Sequence, residues 1–256
     1  MRIATFNCNS VRSRLDVILD WLEKHEPDIL ALQETKVVDE LFPADPLRTA
    51  GYYVTFRGMK AYNGVALLSR EKPQETQFGF SDDGPADDAR LVYARFDKLH
   101  ILNTYVPQGR AIDHPMFEYK VNWFARLRRW MDSHFTARDR VLWMGDINVA
   151  AGPLDVHNPE KRAQHVCYHA SVREAFAETR AWGFEDVFRK LHPEDRSYSF
   201  FDYRAKYRPG QKEGWRIDHL LATPPLAKRV ESCWIDATPR SAARPSDHVP
   251  VVADFN

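Results

Sequence analysis

The chain contains only three cysteines, Cys8, Cys167 and Cys233, odd in number and widely spaced. That pattern excludes a disulfide framework and a Zn²⁺-type cluster, and fits free thiols in a reducing compartment. Net charge is also missing, because 36 basic residues offset 36 acidic ones. Indiscriminate attraction to nucleic acid by bulk charge is therefore excluded, whereas a local basic face is not. No apolar stretch approaches the roughly 20 residues needed to cross a bilayer. The opening Met1-Arg2-Ile3-Ala4-Thr5-Phe6 enters a strand-like run with no signal-peptide apolar region. A soluble cytoplasmic protein is expected. No linker is long enough to divide the chain, so residues 1–256 are expected to form one domain.

What is present is enough apolar material for a substantial core, 44% of residues with seven Trp. Ten short segments read as strands: Ile3–Cys8, Asp28–Gln33, Tyr52–Phe56, Gly64–Ser69, Leu91–Phe96, His100–Val106, Val141–Gly145, Arg216–Ala222, Ser232–Ala237 and Val249–Phe255. Several are continuous apolar runs, as expected of strands covered on both faces. Helical periodicity marks Arg14–His25, ended by Pro27, then Phe117–Phe135, and then Val172–Trp182 with Ser171 as N-cap and Gly183 as the stop. Two packed sheets with helices outside follow from this pattern. Ser81–Asp88 is acidic and turn-rich and reads as a solvated loop. Arg204–Arg216 is basic, with Tyr203, Tyr207 and Trp215 interleaved. It is either a solvated loop or a surface that tracks a nucleic-acid backbone and stacks on bases.

Polar motifs stand at the ends of the strand-like runs: Asn7-Cys8-Asn9, Gln33-Glu34-Thr35-Lys36, Gly145-Asp146-Ile147-Asn148, Arg216-Ile217-Asp218 and Ser246-Asp247-His248. Singly, each has an ordinary explanation. An Asn caps turns, and Glu34 would be the first solvated residue after its strand. Asp146 is harder to dismiss. It follows a buried strand at a glycine that permits a tight turn, and Asn148 shares its side if strand geometry continues. Jointly, carboxylates, carboxamides and one histidine suit a divalent cation beside a phosphodiester, because hard oxygen ligands leave positions open for phosphate and water.

With these motifs the chain resembles the exonuclease III family of abasic-site endonucleases, within the DNase I-like metal-dependent phosphodiesterases. Tyr105-Val106-Pro107-Gln108-Gly109, Asp113-His114-Pro115 and Phe200-Phe201-Asp202-Tyr203-Arg204 join the set, so the resemblance spans essentially the whole chain. Ser10-Val11 departs from the family's usual Gly-Leu, which reads as a variation in loop packing. The resemblance implies an α/β fold, a four-layer sandwich of two mixed β-sheets face to face with helices outside. It also implies Mg²⁺, with Mn²⁺ as a substitute, near Glu34, Asn7, Asp146, Asn148 and Asp247, in one site or two. Asp146 would activate water or protonate the leaving group, with Asn148 fixing its carboxylate or contacting the phosphate. His248 would bond a phosphoryl oxygen while Asp218 holds the imidazole, and Tyr105 would supply a phenol.

By the same resemblance, Phe200, Trp215 and Ile217 would line a pocket for a sugar lacking its base. Asn9, Lys36, Arg90 and Arg110 would contact DNA. The stretch Asp155–His169 should overhang the site, and a bulky His165 or His169 there would narrow the pocket in favour of 3′ ends. The implied activities are incision 5′ to abasic sites, 3′→5′ exonuclease action and removal of 3′-blocking groups on duplex DNA. The expected protein is a monomer without an obligate protein partner or membrane. Its rivals are a 3′-end-trimming enzyme with weak abasic activity, a lipid or inositol-phosphate phosphodiesterase, and a binding-only regulator.

Overall fold

The computed structural model describes residues 1–203 and 213–256. The basic residues Arg204, Lys206, Arg208 and Lys212, with Tyr207, lie outside that description. The first sheet runs β1 (Arg2–Asn7), β2 (Ile29–Gln33), β3 (Tyr53–Arg57), β4 (Val65–Ser69), β11 (Val230–Ile235) and β12 (Val251–Phe255), in spatial order β11-β12-β1-β2-β4-β3. The second comprises β5 (Glu75–Phe78), β6 (Leu91–Phe96), β7 (Leu99–Tyr105), β8 (Arg140–Asp146), β9 (Glu185–Asp186) and β10 (Asp218–Ala222), ordered β5-β6-β7-β8-β10-β9. Both are mixed, with β1–β2 and β7–β8 parallel.

Alternation along the strands divides the apolar residues into three cores. Ile3, Ala31, Ile101, Met144, Leu220 and Val251 meet between the sheets. Phe6, Leu30 and Leu32 face outward onto Ile18 and Leu22 of α1 (Leu15–His25). Leu102 and Trp143 face Trp123 and Leu127 of α3 (Pro115–His134), together with Phe176 of α4 (Ala170–Arg180). The result is the expected four-layer sandwich, with short helices α2 (Ala44–Thr49), α5 (Val187–Leu191) and α6 (Pro224–Ala227) at its margins. No helix among the described residues is long and apolar enough to cross a membrane. All three cysteines are buried and unpaired.

Three local expectations are corrected. Helix α4 begins before Ser171; its cap is His169, whose ring accepts the Ser171 N–H. Gly145 does not turn the chain, since β8 runs through it to Asp146. A Cβ at Gly145 would stand 2.0 Å from Thr104 O on the neighbouring strand, and φ is +134°. Glycine is required there by close strand approach rather than by a turn. The acidic 81–88 loop is not simply solvated. Arg126 of α3 pairs with Asp82 and Asp87 at 2.6 Å each, and Asp87 also accepts the Tyr119 hydroxyl.

Candidate active site

Strand register assembles the site. Asp146 lies abreast of Tyr105 on one side and Asp218 on the other, so three neighbouring strand ends of the second sheet present an acid, a phenol and an acid in one row. Across from them, Asn7 pairs with Gln33 at the ends of β1 and β2, and Glu34 follows directly. The Asn7 amide closes the gap between the sheets, donating to Glu34 Oε1 at 3.0 Å and to Asp146 Oδ2 at 2.8 Å. Its own oxygen accepts the Asn9 N–H at 3.0 Å. Beneath this contact Gln33 reaches Asn103 at 2.7 Å, a buried amide pair that also spans the two sheets.

Two charges flank Glu34 and Asp146. Lys36 lies 2.6 Å from Glu34 Oε2 and donates to Asn9 Oδ1, while Asn9 donates to Asp247 Oδ1 at 2.9 Å. Burial works against the Glu34 charge, but Lys36 and Asn7 outweigh it and hold the carboxyl below its ordinary range. His248 Nδ1 sits 2.8 Å from Asp218 Oδ2, and its Nε2 is 3.8 Å from Asp146 Oδ2. Burial disfavours the imidazolium, yet Asp218 and Asp146 prevail and raise its pKa to about 10. Asp146 is pushed up to about 7, chiefly by burial and further by Asp218 and Glu34, against the pull of His248. Burial beside Glu34 and Asp146 drives the Tyr105 phenol well above its usual value, so it remains a proton donor.

Glu34, Asp146 and His248 bring potential ligand atoms within 4.8 Å of one another. A protonated histidine has no lone pair for a metal, so the two carboxylates are the ligands this geometry offers. Two adjacent acids, one of them pushed toward the neutral form, fit a hard divalent cation, which relieves that repulsion through oxygen ligands. Asn7, expected near the metal, bridges the two carboxylates by donating its amide N–H groups to both. Asn148 also differs from expectation. Its backbone is left-handed, φ +55°, so strand geometry stops at Asp146. Its backbone N–H, not its side chain, donates to Asp146 Oδ1 at 2.9 Å, and its amide donates to Val106 O at 3.0 Å. Asp247 lines the same cavity.

That cavity measures about 610 Å³, and Phe200, Trp215 and Ile217 form its apolar wall beside the acids. Backbone bridges join Phe200 to both Trp215 and His248, and the Phe200 ring packs 4.9 Å from the His248 ring. From the 155–169 overhang, His165 packs at a tilt against Trp215, with ring centres 4.4 Å apart and planes 35° from parallel. Burial, with Lys120 and Arg162, depresses its pKa to about 4, so it is a neutral ring at physiological pH. His169 lies outside the lining; it caps α4 and packs edge-on against Phe117. The two arginines are not brought to the cavity wall. Arg90 stacks on the Tyr105 ring at 5.0 Å, donates to Tyr105 O at 3.2 Å and lies 3.7 Å from Asp87. Arg110 is exposed at a left-handed turn, φ +59°.

Sequence reasoning missed several members of the site. Ser199 donates to Asp218 Oδ2 at 2.6 Å and accepts the Ile217 and Asp218 N–H groups, fixing the acid behind His248. Gln108, His157 and Arg162 line the cavity, and Lys120 of α3 is buried behind it. Gln108 had a signal in its place inside the Tyr105–Gly109 motif, and His157 and Arg162 had one in the Asp155–His169 stretch expected to overhang the site; Ser199 and Lys120 had none.

Residues 4–248 match the endonuclease/exonuclease/phosphatase family. The chain is 34% identical to exodeoxyribonuclease III of Haemophilus influenzae, over the full length of both. Among solved structures it resembles an AP endonuclease from Archaeoglobus fulgidus, with a TM-score of 0.97, 46% identity and coverage of 100% of this chain and 99% of that one. It also resembles the 3′ phosphatase NExo from Neisseria bound to a product DNA hairpin, with a TM-score of 0.93, 36% identity and the same coverage.

Proposed function

Because this chain belongs to the endonuclease/exonuclease/phosphatase family, we propose that it is a Mg²⁺-dependent DNA-repair nuclease acting on duplex DNA. Its reactions are hydrolysis of phosphodiesters 5′ to abasic sites and at 3′ ends, with removal of 3′ phosphates. The observation that carries this reading is the junction of two features. The Glu34–Asn7–Asp146 bridge and the His248–Asp218 pair open into a cavity walled by Phe200, Trp215 and Ile217. Relatives with 34–46% identity over the whole chain carry the names of such enzymes. The three buried thiols suit a cytoplasmic setting.

Glu34 and Asp146 are the carboxylates that would hold the cation, with Asp247 at the edge of the same cavity. The cation would supply charge relief on the phosphoryl oxygens. Asp146, buried between Asn7 and His248, is placed either to take a proton from the attacking water or, once it carries one, to give it to the departing oxygen. His248 donates one N–H to Asp218, which leaves Nε2–H for a non-bridging phosphoryl oxygen as charge develops there. Tyr105 adds a second donor, a neutral phenol beside the charged imidazolium. Asn9 and Lys36 stand beside the acids as contacts for the DNA backbone. A sugar without a base is cheap to extrude and small enough to enter beside Trp215, whereas a stacked nucleotide resists both.

A second reading keeps this chemistry and shifts its balance toward 3′ ends. It is favoured by His165, whose ring fills space over Trp215 where an extruded internal sugar must lie. One assay tests both: a labelled duplex with a central abasic analogue beside a recessed 3′ end, with Mg²⁺ and with EDTA. Mg²⁺-dependent incision at the abasic position is expected. Binding without cleavage of either substrate would overturn the nuclease reading. Replacing His165 with Gly should raise abasic incision relative to 3′ trimming by about tenfold, the scale of one steric contact worth about 1.4 kcal/mol. An unchanged ratio removes His165 as the selector.

A further inference from the structure

One buried charge in this fold has no part in the chemistry just described. Lys120 of α3 is 0% exposed, and among the described residues its hydrogen bonds go to backbone carbonyls and none to a carboxylate. Its ammonium donates to Asn148 O at 2.7 Å, Val166 O at 2.9 Å and Gln108 O at 3.2 Å. These carbonyls belong to three separate segments, the turn after β7, the turn after β8 and the 155–169 overhang. Each segment also supplies cavity wall, through Gln108, Asn148 and Cys167.

Burial disfavours the Lys120 ammonium and lowers its pKa, with nearby Asp146 opposing the shift, and an apolar side chain of similar length would fill the space at less cost. The charge is explained instead by what it holds. Asn148 is fixed from three sides: its C=O by Lys120, its side chain by Val106 O, and its N–H by Asp146 Oδ1. Its left-handed backbone, φ +55°, is a conformation that asparagine tolerates well, and these three hydrogen bonds select it over the strand geometry that precedes it. Releasing the carbonyl would let that peptide relax and remove the hydrogen bond that orients the Asp146 carboxylate.

We propose that Lys120 is a positioning residue. By drawing Gln108, Asn148 and Val166 onto one charge, it keeps the Asn148 N–H on Asp146 and sets the separation of the cavity walls. The proposal rests on the nuclease reading for the identity of the reaction, not for the geometry. Partners that orient metal ligands from behind typically change metal affinity or activity by about 10–100-fold when removed.

The test compares wild type, Lys120→Met and Lys120→Arg, each checked for folding by circular dichroism. Abasic-duplex kinetics and calorimetric Mg²⁺ affinity are the two readouts. Lys120→Met should lower kcat about 30-fold with KM within threefold, and weaken Mg²⁺ about tenfold. Lys120→Arg, which keeps charge and several donors, should recover most of both losses. A folded Lys120→Met with kcat and Mg²⁺ affinity within threefold of wild type overturns the proposal. So does a loss shared between kcat and KM that arginine does not rescue, because that is general loosening. If Lys120→Met does not fold, Lys120→Gln is read by the same criteria, and failure of both neutral variants to fold assigns Lys120 to stability alone. Wild type inactive on every DNA substrate would defeat the nuclease reading instead, and the Mg²⁺ affinities would still decide the role of Lys120.

Discussion

Asp146 occupies a position where burial, Asp218 and Glu34 all oppose its ionisation, and without a cation its pKa reaches about 7. A metal ion and a proton therefore compete for the same carboxylate. Below pH 7 the proton holds the site, and above it the carboxylate is free. Mg²⁺ affinity should accordingly rise about fivefold between pH 6 and pH 7 and about twofold more by pH 8, with proton release on binding. Calorimetry at the three pH values checks this. Asp146→Asn should bind Mg²⁺ more weakly with little pH dependence, and should abolish cleavage. The residues of this arrangement that ended strands were legible in the sequence, because a polar residue closing a buried run needs a reason to be there. Ser199 and Lys120 were not. One lies in an irregular segment, the other sits on the apolar face of a helix, and neither position has a pattern that marks chemistry. Arg90 and Arg110 show the converse. A basic residue near a motif says nothing about where its guanidinium goes, and Arg90 is occupied by Tyr105 and Asp87.

Strands and long helices were read from the sequence because both faces of each sheet are covered. Continuous apolar runs such as Val65–Ser69, buried throughout, are then unmistakable. The edge strand Glu75–Phe78 was not read, since its polar Glu-Thr-Gln stretch carries no apolar run. Short helices such as Val187–Leu191 were not read either, because one turn is too brief to show a period. The loop after β1 illustrates what sequence comparison alone misjudges. Ser10, in place of the family's usual glycine, is more than a packing variation, because its φ is +93°, a conformation that glycine adopts freely and serine does not. Ser10→Gly should relieve strain of about 1–2 kcal/mol, offset by the greater freedom of glycine in the unfolded chain. A net gain of about 1 kcal/mol is expected, or about 2–4 °C in Tm. Thermal melts check it, and a lower Tm would show that the Ser10–Ser13 hydroxyl contact at 3.1 Å outweighs the strain.

For the molecule as a whole, zero net charge means that attraction to DNA depends on where charges are placed, and many are spent internally. One such network lies behind the cavity. Arg216, 1% exposed, pairs with Asp155 at 2.7 Å and Asp186 at 2.8 Å, and Arg189 also reaches Asp155 at 2.6 Å. This network ties the overhang to β9 and α5 and to the backbone that carries Trp215 and Ile217, so the cavity wall depends on it. Burial alone would raise the Asp186 pKa, but Arg216 and His219 overcome it and hold the carboxyl well below its ordinary range. A depressed folded-state pKa gives stability that is present above the unfolded value, about 3.9, and is lost as pH falls toward the folded one. Asp186→Asn leaves Arg216 short of a buried partner and should cost about 3–5 kcal/mol at pH 7. Between pH 7 and pH 5 that penalty should stay constant. Below about pH 4 it should shrink by about 1.4 kcal/mol per pH unit, because only the wild type then loses its charge contribution. Urea unfolding of both proteins at pH 7, 5 and 3 measures the gap, and an equal gap at all three would show that packing rather than the Asp186 charge supports the wall.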